Sequence, residues 1–211
     1  MRNWPLFDLR LRTPRIELHV PNLAELDELA DVAAAGVHDA AVMPFAVPWT
    51  DTSPEDRARS TVQYAWRHWA SWTPEDWTCS FAVVENGQVV GVQEMHARDF
   101  AITREVGTGS WLGRRFQGRG IGTQMRAAEL ALAFEGLDAR WAVSGAFLDN
   151  PASLGVSRKF GYEPDGVRVR PRRGEVATEQ RLRLSQETWA KHRFVPVQIS
   201  GLDRCRAQFG A

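Results

Sequence analysis

Residues 111–123, WLGRRFQGRGIGT, combine residue types and a spacing that suit the binding of phosphate. Gly118, Gly120 and Gly122 permit a tight turn in which backbone N–H groups converge on one point. A helix that begins near Ile121 would add the partial positive charge of its N-terminus, so a diphosphate would fit there. Three arginines in or beside the turn could pair with further anionic groups: Arg114, Arg115 and Arg119. The alternative is an ordinary strand-to-helix connection whose arginines lie in solvent.

The glycine spacing separates this turn from two better-known phosphate loops. A P-loop would end in Gly-Lys-Ser/Thr, whereas Gly122 is followed by Thr123 and the turn contains no lysine. A dinucleotide fingerprint, G-x-G-x-x-G, would need a third glycine where Thr123 stands, and it usually belongs to an opening strand–helix unit. A nicotinamide-dependent oxidoreductase is therefore disfavoured.

Two motifs in a plausible order resemble one protein family. Residues 117–122 have the form Q-x-x-G-x-G, which resembles the coenzyme A pyrophosphate loop of the GNAT acyltransferase superfamily. Residues 150–162 are similar to the N-x-x-S…(K/R)-x-G-(F/Y) helix of the RimJ/RimL-like branch. The resemblance covers roughly residues 105 to 165. It implies an α/β GNAT fold, with a mixed central sheet flanked by helices and two strands splayed apart to admit the pantetheine arm.

The resemblance also implies which residues bind the cofactor. They are Trp111, Leu112, Arg115, Gln117, Gly118, Arg119, Gly120, Ile121, Gly122, Thr123, Asn150, Ser153 and Lys159. The segments WPLFDLRLRTPRIEL, MPFAVPWT and GLDRCRAQFG are further similar to an actinobacterial member of this branch that binds succinyl-CoA. The expected co-substrate is therefore acetyl-CoA or succinyl-CoA.

If CoA binds, the chemistry follows from what a thioester requires. An acceptor amine must lose a proton before it attacks, and the departing thiolate must be stabilised. By its match to the serine of N-x-x-S, Ser153 is the candidate donor to the sulfur; its alternative role is to cap the following helix. Ser157 stands where many relatives carry a tyrosine acid, which disfavours a tyrosine-acid mechanism. A backbone N–H near Trp111 or Leu112 could polarise the thioester carbonyl, as the splayed strand does in the family.

The general base has three candidates. Many relatives use a glutamate on the strand before the loop; here the nearby positions are Glu105, Val106 and Gly107, so no residue is clearly in register. Glu94 and His96 alternate on the preceding strand, so they share one face and could reach the cleft directly or through water. The alternatives are a structural histidine, a surface ion pair for Glu105, and a weakly catalysed reaction with an already neutral amine.

Donor choice depends on charge, because the distal carboxylate of a succinyl group is costly to bury without a cationic or hydrogen-bonding partner. Several arginines are candidates that the sequence cannot position: Arg98, Arg104, Arg114 and Arg170. We expect an N-acyltransferase that moves a short acyl group from acyl-CoA to a primary amine by direct attack in a ternary complex. The alternative is a non-catalytic acyl-CoA sensor or interaction module of the same fold.

Periodicity and turn signals predict the elements that must position these residues. Alternation predicts strands over residues 15–20, 80–85, 89–96, 105–112 and 140–147, with Asn86-Gly87 as a hairpin turn. Caps and helical spacing predict helices over residues 22–36, from Ser53 through Trp69, and over residues 121–134 and 151–160. Residues 167–170 and 175–184 predict a late hairpin that closes the sheet.

The aromatic residues divide into two groups. Trp66, Trp69 and Trp72 recur at helical spacing, which favours burial in a core or a subunit interface. Phe45 and Trp49 lie in an apolar segment broken by prolines, which suits the wall of an acceptor pocket or a lid.

Composition bounds the rest. A chain of 211 residues with 44% hydrophobic content predicts one GNAT domain over residues 1–211 with a short C-terminal extension. Lys+Arg and Asp+Glu both number 26, so no global basic field attracts nucleic acid or a membrane surface.

The proline- and charge-interrupted N-terminal residues resemble neither a signal peptide nor a membrane span, which predicts a cytoplasmic protein. Cys79 and Cys205 suggest neither a disulfide framework nor a metal cluster. The aromatic surplus and the habit of the family favour a homodimer or higher oligomer.

Overall fold

The computed structural model describes residues 1–211, and a nine-stranded mixed sheet runs through it. The strands are β1 Arg10–Arg12, β2 Ile16–His19, β3 Asp76–Glu85, β4 Gln88–Arg98, β5 Glu105–Leu112, β6 Trp141–Phe147, β7 Glu163–Arg172, β8 Glu175–Ser185 and β9 Gln198–Ser200. Their order in the sheet is β7-β8-β6-β5-β4-β3-β2-β1-β9. Only the β5–β6 pair is parallel, and every other pair is antiparallel. The predicted fold class is confirmed.

Six α-helices accompany the sheet: α1 Leu23–Ala35, α2 Pro54–Ala70, α3 Phe100–Thr103, α4 Ile121–Ala131, α5 Pro151–Lys159 and α6 Gln186–His192. The first two begin where the sequence predicts caps. The Asn22 side chain and Glu25 form a reciprocal capping box at α1, and the Ser53 hydroxyl accepts from the backbone N–H of Asp56 at α2. None of the helices combines the length and the apolar character needed to cross a bilayer.

Strands β5 and β6 separate after their first three paired positions. They pair only from Glu105 opposite Trp141 to Gly107 opposite Val143. Beyond that point β5 remains bonded to β4 and β6 remains bonded to β8. A gap therefore opens in the middle of the sheet, beginning at Thr108 and Ser144, and we call it the splay. The predicted splayed strands are confirmed.

The two faces of the sheet carry different helices. Val92 of β4 packs in a cluster with residues of α1 and α2, including Leu26 and Ala65. The next residue, Gln93, donates a hydrogen bond to Glu129 of α4. Because neighbouring strand residues point to opposite faces, α1 and α2 cover one face and α4 covers the other.

The shortest elements were not predicted from the sequence. Strands β1 and β9 have three residues each, which is too short for an alternation signal, and α3 and α6 were also missed. The helix predicted to reach Phe134 ends at Ala131 and continues as a wide turn, in which the Leu137 N–H donates to the Leu132 carbonyl. Strand β7 is longer than predicted and contains a bulge between Pro164 and Val167.

The tryptophan stripe of α2 is only partly buried. Trp69 and Trp72 pack against the core, whereas Trp66 is 51% exposed. The helix packs inward through Ala65 instead, and Trp72 lies beyond the helix end. The expectation that Trp66 belongs to the core of this chain is therefore wrong.

Candidate active site

One cavity of about 870 Å³ passes through the sheet at the splay. On one face Met125 and Arg126 of α4 line it. On the other face Phe45 and Trp111 line it, and Trp111 packs with the α1 and α2 cluster. A ligand in this cavity would reach both faces of the sheet between the two parted strands.

The glycine-rich turn lies at the α4 end of the cavity. Gly118 and Gly120 adopt left-handed conformations, with φ of 71° and 81°, which a side chain would strain. Helix α4 begins at Ile121 without a side-chain cap, and the Thr123 N–H already donates to the Gly120 carbonyl, so the backbone N–H groups of Ile121 and Gly122 are the ones free for a ligand. Gly120, Gly122 and Thr123 line the cavity there. The turn therefore has the geometry of an anion site.

Side chains from distant parts of the chain hold this turn in place. The Gln117 amide donates to the backbone carbonyls of Val37 (2.6 Å) and Leu112 (2.9 Å). Arg15 donates to the carbonyl of Arg119 at 2.6 Å. Gln117 thus braces the turn with its amide N–H groups, and Arg15 is a supporting residue that sequence reasoning missed.

Most of the residues predicted to bind the cofactor line this one cavity. They are Trp111, Leu112, Gln117, Gly118, Gly120, Gly122, Thr123, Asn150, Ser153 and Lys159. Three predicted residues lie outside the lining. Arg115 stacks over the Phe116 ring, Arg119 pairs with the buried Glu85, and Ile121 is fully buried in the core. A free arginine takes whichever anion or ring lies within its reach, and the local sequence does not reveal that partner.

The two serines of α5 have different environments. The Asn150 side chain accepts from the backbone N–H of Ser153 and so caps the helix, which leaves the Ser153 hydroxyl free at the cavity wall. Ser157, at the position of the family's tyrosine acid, is buried and does not line the cavity.

Glu94 belongs to β4, next to β5, and its side chain lies on the face of the sheet that carries α1 and α2. Its carboxylate accepts hydrogen bonds from the Tyr64 hydroxyl (2.7 Å) and the Ser80 hydroxyl (3.1 Å). Burial, and then the charge of Glu94, raise the pKa of Tyr64, which keeps that hydroxyl protonated as a donor. Glu94 itself does not line the cavity, but its Oε1 lies 3.9 Å from where a Cβ on Gly109 would be, and Gly109 does line it.

The other two predicted bases lie farther from the cavity. The exposed His96 ring lies across Gly107, in the space that a side chain there would occupy. Glu105 accepts from Arg183 at 2.8 Å at the start of β5, where the strands are still paired. Neither residue lines the cavity.

Arg126 is a cavity residue that sequence reasoning missed. Its side chain is almost fully buried, and one guanidinium nitrogen donates to the Thr108 and Ser144 hydroxyls at 2.8 and 3.3 Å. Those two residues mark the point where the strands part. Its Nε lacks a hydrogen-bond partner and lies 3.7 Å from Glu129. The available signal was helical spacing, since Arg126 follows Gly122 by four residues and so faces the same way.

Glu129 is the nearest carboxyl group to Arg126. Its side chain is fully buried and accepts from the Gln93 amide at 2.6 Å. Burial raises the pKa of Glu129 well above its ordinary value, which favours the neutral carboxylic acid. The positive charge of Arg126 is then only partly compensated within the protein.

Glu179 of β8 is a second missed residue, and it lines the cavity. Its carboxylate lies over Gly145 of β6, in the space that a side chain there would fill. Arg170 donates to it at 2.5 Å. No local signal marks Glu179, because its position depends on pairing between β8 and β6, which are far apart in the chain.

The four arginines proposed as acyl-pocket cations have other surroundings. Arg98 pairs with Asp76, and Arg104 lies over the Phe100 ring. Arg170 pairs with Glu179. Only Arg114 lines the cavity, and it pairs with Asp39.

Residues 37–52 form a roof over the α1 and α2 side of the cavity, and we call them the roof segment. Phe45 contacts Trp49, which contacts Trp111, with ring centroids 5.3 and 5.6 Å apart. Arg172 donates to the Met43 carbonyl, and Arg173 forms a two-pronged pair with Asp51. The segment predicted as a pocket wall or lid thus contacts the cavity through Phe45, and Trp49 supports it from behind.

Comparison with known proteins agrees with this architecture. The family model described as "Acetyltransferase (GNAT) domain" matches residues 8–163. A GCN5-related N-acetyltransferase from Brucella melitensis is 19% identical with a TM-score of 0.67, and the match covers 87% of this chain and 81% of that one. The RimL ribosomal L7/L12 alpha-N-protein acetyltransferase in complex with coenzyme A is 18% identical with a TM-score of 0.64, covering 82% and 95%. These structural likenesses show the fold, and the family match covers most of the sequence. The chain belongs to the GNAT acetyltransferase family.

Proposed function

We propose that the protein transfers a short acyl group from CoA to a primary amine by direct attack in a ternary complex. The observation that carries this proposal is the single cavity that joins the glycine turn, the splay and the roof segment. A related protein, RimL, is described in complex with CoA, which supports CoA as the carrier.

In this proposal the glycine turn takes the diphosphate and the splay takes the pantetheine arm. Backbone N–H groups at the start of α4 donate to the diphosphate oxygens, and Lys159 at the cavity wall adds a positive charge. Beyond Gly107 and Val143 the two strands no longer pair with each other. Their inner edges can therefore hydrogen-bond to the amides of an extended arm.

The chemistry breaks one C–S bond and forms one C–N bond. The bound ammonium ion loses a proton, and the neutral nitrogen attacks the thioester carbonyl carbon. A backbone N–H near Trp111 or Leu112 stabilises the oxygen of the tetrahedral intermediate. The thiolate then leaves and takes up a proton, for which the free Ser153 hydroxyl is the proposed donor, and the nitrogen loses its second proton. The products are an amide, free CoA and one proton released to water.

Glu94 is the proposed general base, acting through a water molecule past Gly109. Of the three base candidates predicted from the sequence, it is the one whose carboxylate lies beside a cavity-lining residue. Its two protein partners are neutral hydroxyl donors, so its charge is not cancelled by a cation. His96 and Glu105 are less favourable because His96 lies opposite Gly107 and Glu105 begins β5, and at both positions β5 is still paired with β6.

We propose a donor whose acyl group ends in a carboxylate, such as succinyl-CoA, over acetyl-CoA. Arg126 supports this choice because it is a buried cation that lines the cavity at the point where the strands part. A buried guanidinium without a full set of acceptors is costly, and a ligand carboxylate would remove that cost.

An acyl-CoA sensor without turnover is the second candidate, because none of the three predicted base residues lines the cavity. Turnover distinguishes the two. A homodimer or higher oligomer and a cytoplasmic location stay predictions from the sequence.

The test is calorimetric titration of the wild-type protein and two Gly122 variants with CoA, acetyl-CoA and succinyl-CoA. A Cβ at Gly122 would be 3.9 Å from Val156, an ordinary contact, and no positive φ is involved. Gly122→Glu and Gly122→Gln differ only in charge, so we expect the Glu variant to lose binding at least tenfold more strongly. Binding of none of the three ligands by the wild type would refute the proposal.

Donor choice is tested in the same titrations with Arg126→Met and Arg126→Lys. We expect the wild-type protein to bind succinyl-CoA about tenfold or more tightly than acetyl-CoA. The Arg126→Met variant should lose that preference, and the Arg126→Lys variant should retain part of it. Equal affinity of the wild type for both donors would remove Arg126 from this role. Free CoA should bind all folded variants alike, which separates donor choice from general damage.

A further inference from the structure

Two carboxylates lie on the borders of the splay, and each lies over a glycine. Glu94 lies beside Gly109 of β5, and Glu179 lies over Gly145 of β6. From this arrangement we infer that the ammonium group of the acceptor binds between Glu94 and Glu179, and that the acceptor is a monocationic primary amine without a neighbouring carboxylate. The inference rests on the proposed acyl transfer and specifies its second substrate.

Both carboxylates belong to the face that carries the roof segment. Glu94 and Gly109 are direct cross-strand partners, so their side-chain directions lie on the same face, and Trp111 shares that direction two residues on. Across the splay, Glu179 is the cross-strand partner of Phe147. Arg172 stacks over Phe147 and donates to the roof segment at Met43. Glu94 and Glu179 therefore flank the splay on the face opposite to α4.

Gly145 is what allows the Glu179 carboxylate to come so close to the gap. A Cβ on Gly145 would overlap the carboxylate of Glu179, so any larger residue would push that group away. At Gly109 a Cβ would be 3.9 Å from Oε1 of Glu94, so this carboxylate lies beside a residue that lines the cavity. Glu179 lines the cavity directly.

Of the two carboxylates, only Glu94 has no ion pair within the chain. Glu179 is balanced by Arg170, and the nearby Arg172 is balanced by Asp149. Glu94 has only the Tyr64 and Ser80 hydroxyls as hydrogen-bond partners. Burial lowers the pKa of the neighbouring His68, which keeps it neutral at pH 7. One ammonium ion would neutralise Glu94, whereas a carboxylate beside the amine would be repelled.

The surroundings favour an apolar or aromatic body on that amine. Tyr64 and His68 of α2 lie edge to face with ring centroids 4.3 Å apart, beside Glu94. Phe45 and Trp111 line the cavity from the roof side. An ammonium ion is attracted to aromatic faces as well as to carboxylates, so both features select the same class of ligand.

Phenethylamine and phenylalanine form a matched pair of probes, since they differ only in the carboxylate. With saturating acyl-CoA, we expect kcat/KM for phenethylamine to exceed that for phenylalanine by at least tenfold. Glu94→Gln should lower kcat for phenethylamine by about 10²- to 10⁴-fold, the usual contribution of a general base. Glu179→Gln should mainly raise its KM. Glu187→Gln, on the exposed surface of α6, is the matched control and should change nothing.

A binding measurement makes the inference testable even without turnover. Phenethylamine is titrated into the CoA-loaded protein, where the wild type and Glu187→Gln should bind it equally well and both Glu94→Gln and Glu179→Gln should bind it more weakly. Equal or better use of phenylalanine, or unchanged amine binding in both the Glu94 and Glu179 variants, would overturn the inference. Donor affinity is measured separately, so loss of all CoA binding would refute the proposed function, whereas donor binding without amine binding refutes only this inference.

Discussion

At the level of single residues, two kinds of site residue differ in how far the sequence predicts them. The residues of the glycine turn are adjacent in the chain, and their positive φ values and cavity contacts follow from local rules. Glu179 and Arg126 acquire their roles only when distant strands and helices meet. Arg119 was predicted to bind the cofactor because it lies in the turn, but its side chain pairs with Glu85, over thirty residues away in the chain, and does not line the cavity.

Gly145 gives a prediction at this scale. Gly145→Ala places a Cβ where the Glu179 carboxylate lies, so that carboxylate must move away from the splay. We expect kcat/KM for the amine to fall by about tenfold or more, with the affinity for CoA unchanged, as measured by initial rates and calorimetry.

The matched control is Gly155→Ala on α5, where a Cβ would meet nothing within 4 Å. It should leave rates unchanged and stabilise the helix by up to about 1 kcal/mol, because alanine is a better helix former than glycine. An equal loss of rate in both variants would mean that Gly145 has no special role.

At the level of elements, length and turn chemistry explain what was predictable. Strand β5 was predicted with its observed bounds, and the β3–β4 hairpin turns at Asn86 and Gly87, which have the positive φ values of 52° and 77° that this dipeptide favours. The roof segment has no periodicity, and Arg172 and Arg173 of the β7–β8 hairpin contact it at Met43 and Asp51. Such pairing between a loop and a distant hairpin leaves no local pattern in the sequence.

The roof segment gives the prediction at this scale. Arg173 holds Asp51 through two hydrogen bonds and also donates to the Ala40 carbonyl. Arg173→Ala removes all three contacts, so we expect amide hydrogen exchange of residues 39–51 to become about tenfold faster.

Arg181→Ala provides the comparison, since it removes an ion pair with Asp165 in the same hairpin but away from the roof segment. Exchange over residues 39–51 should stay at the wild-type rate in that variant. If removing Arg173 also left exchange unchanged, the hairpin would not hold the roof segment.

At the level of the whole molecule, segments far apart in the sequence complete one edge of the sheet. Strand β1 pairs with both β2 and β9, and the residues after β9 fold back onto Trp72 and Trp77. The Trp77 indole N–H donates to the Phe209 carbonyl at 3.0 Å, and the Phe209 side chain is fully buried. The sequence predicted these residues only as a short extension, because contacts across more than 130 positions are invisible to local reasoning. One domain over residues 1–211 stays a prediction.

Phe209 tests how far this packing contributes to stability. Phe209→Ala leaves a cavity beside Trp72 and Trp77, so we expect the free energy of unfolding to fall by about 3–5 kcal/mol in a denaturant titration. Phe194→Ala, at a residue that is 55% exposed, should cost less than about 1 kcal/mol. A small loss at Phe209 would mean that the residues after β9 are only loosely attached.

The splay affects how the reaction rate would respond to the concentrations of acyl-CoA, amine and free CoA. The cavity is lined from both faces of the sheet, with the glycine turn on the α4 side and the proposed amine site on the other. Donor and acceptor would then enter the cavity by separate routes and could bind in either order. Spent coenzyme would occupy the donor route and leave the amine route open. We therefore expect free CoA to compete with acyl-CoA and not with the amine. The rate of acyl transfer should then follow the ratio of acyl-CoA to free CoA.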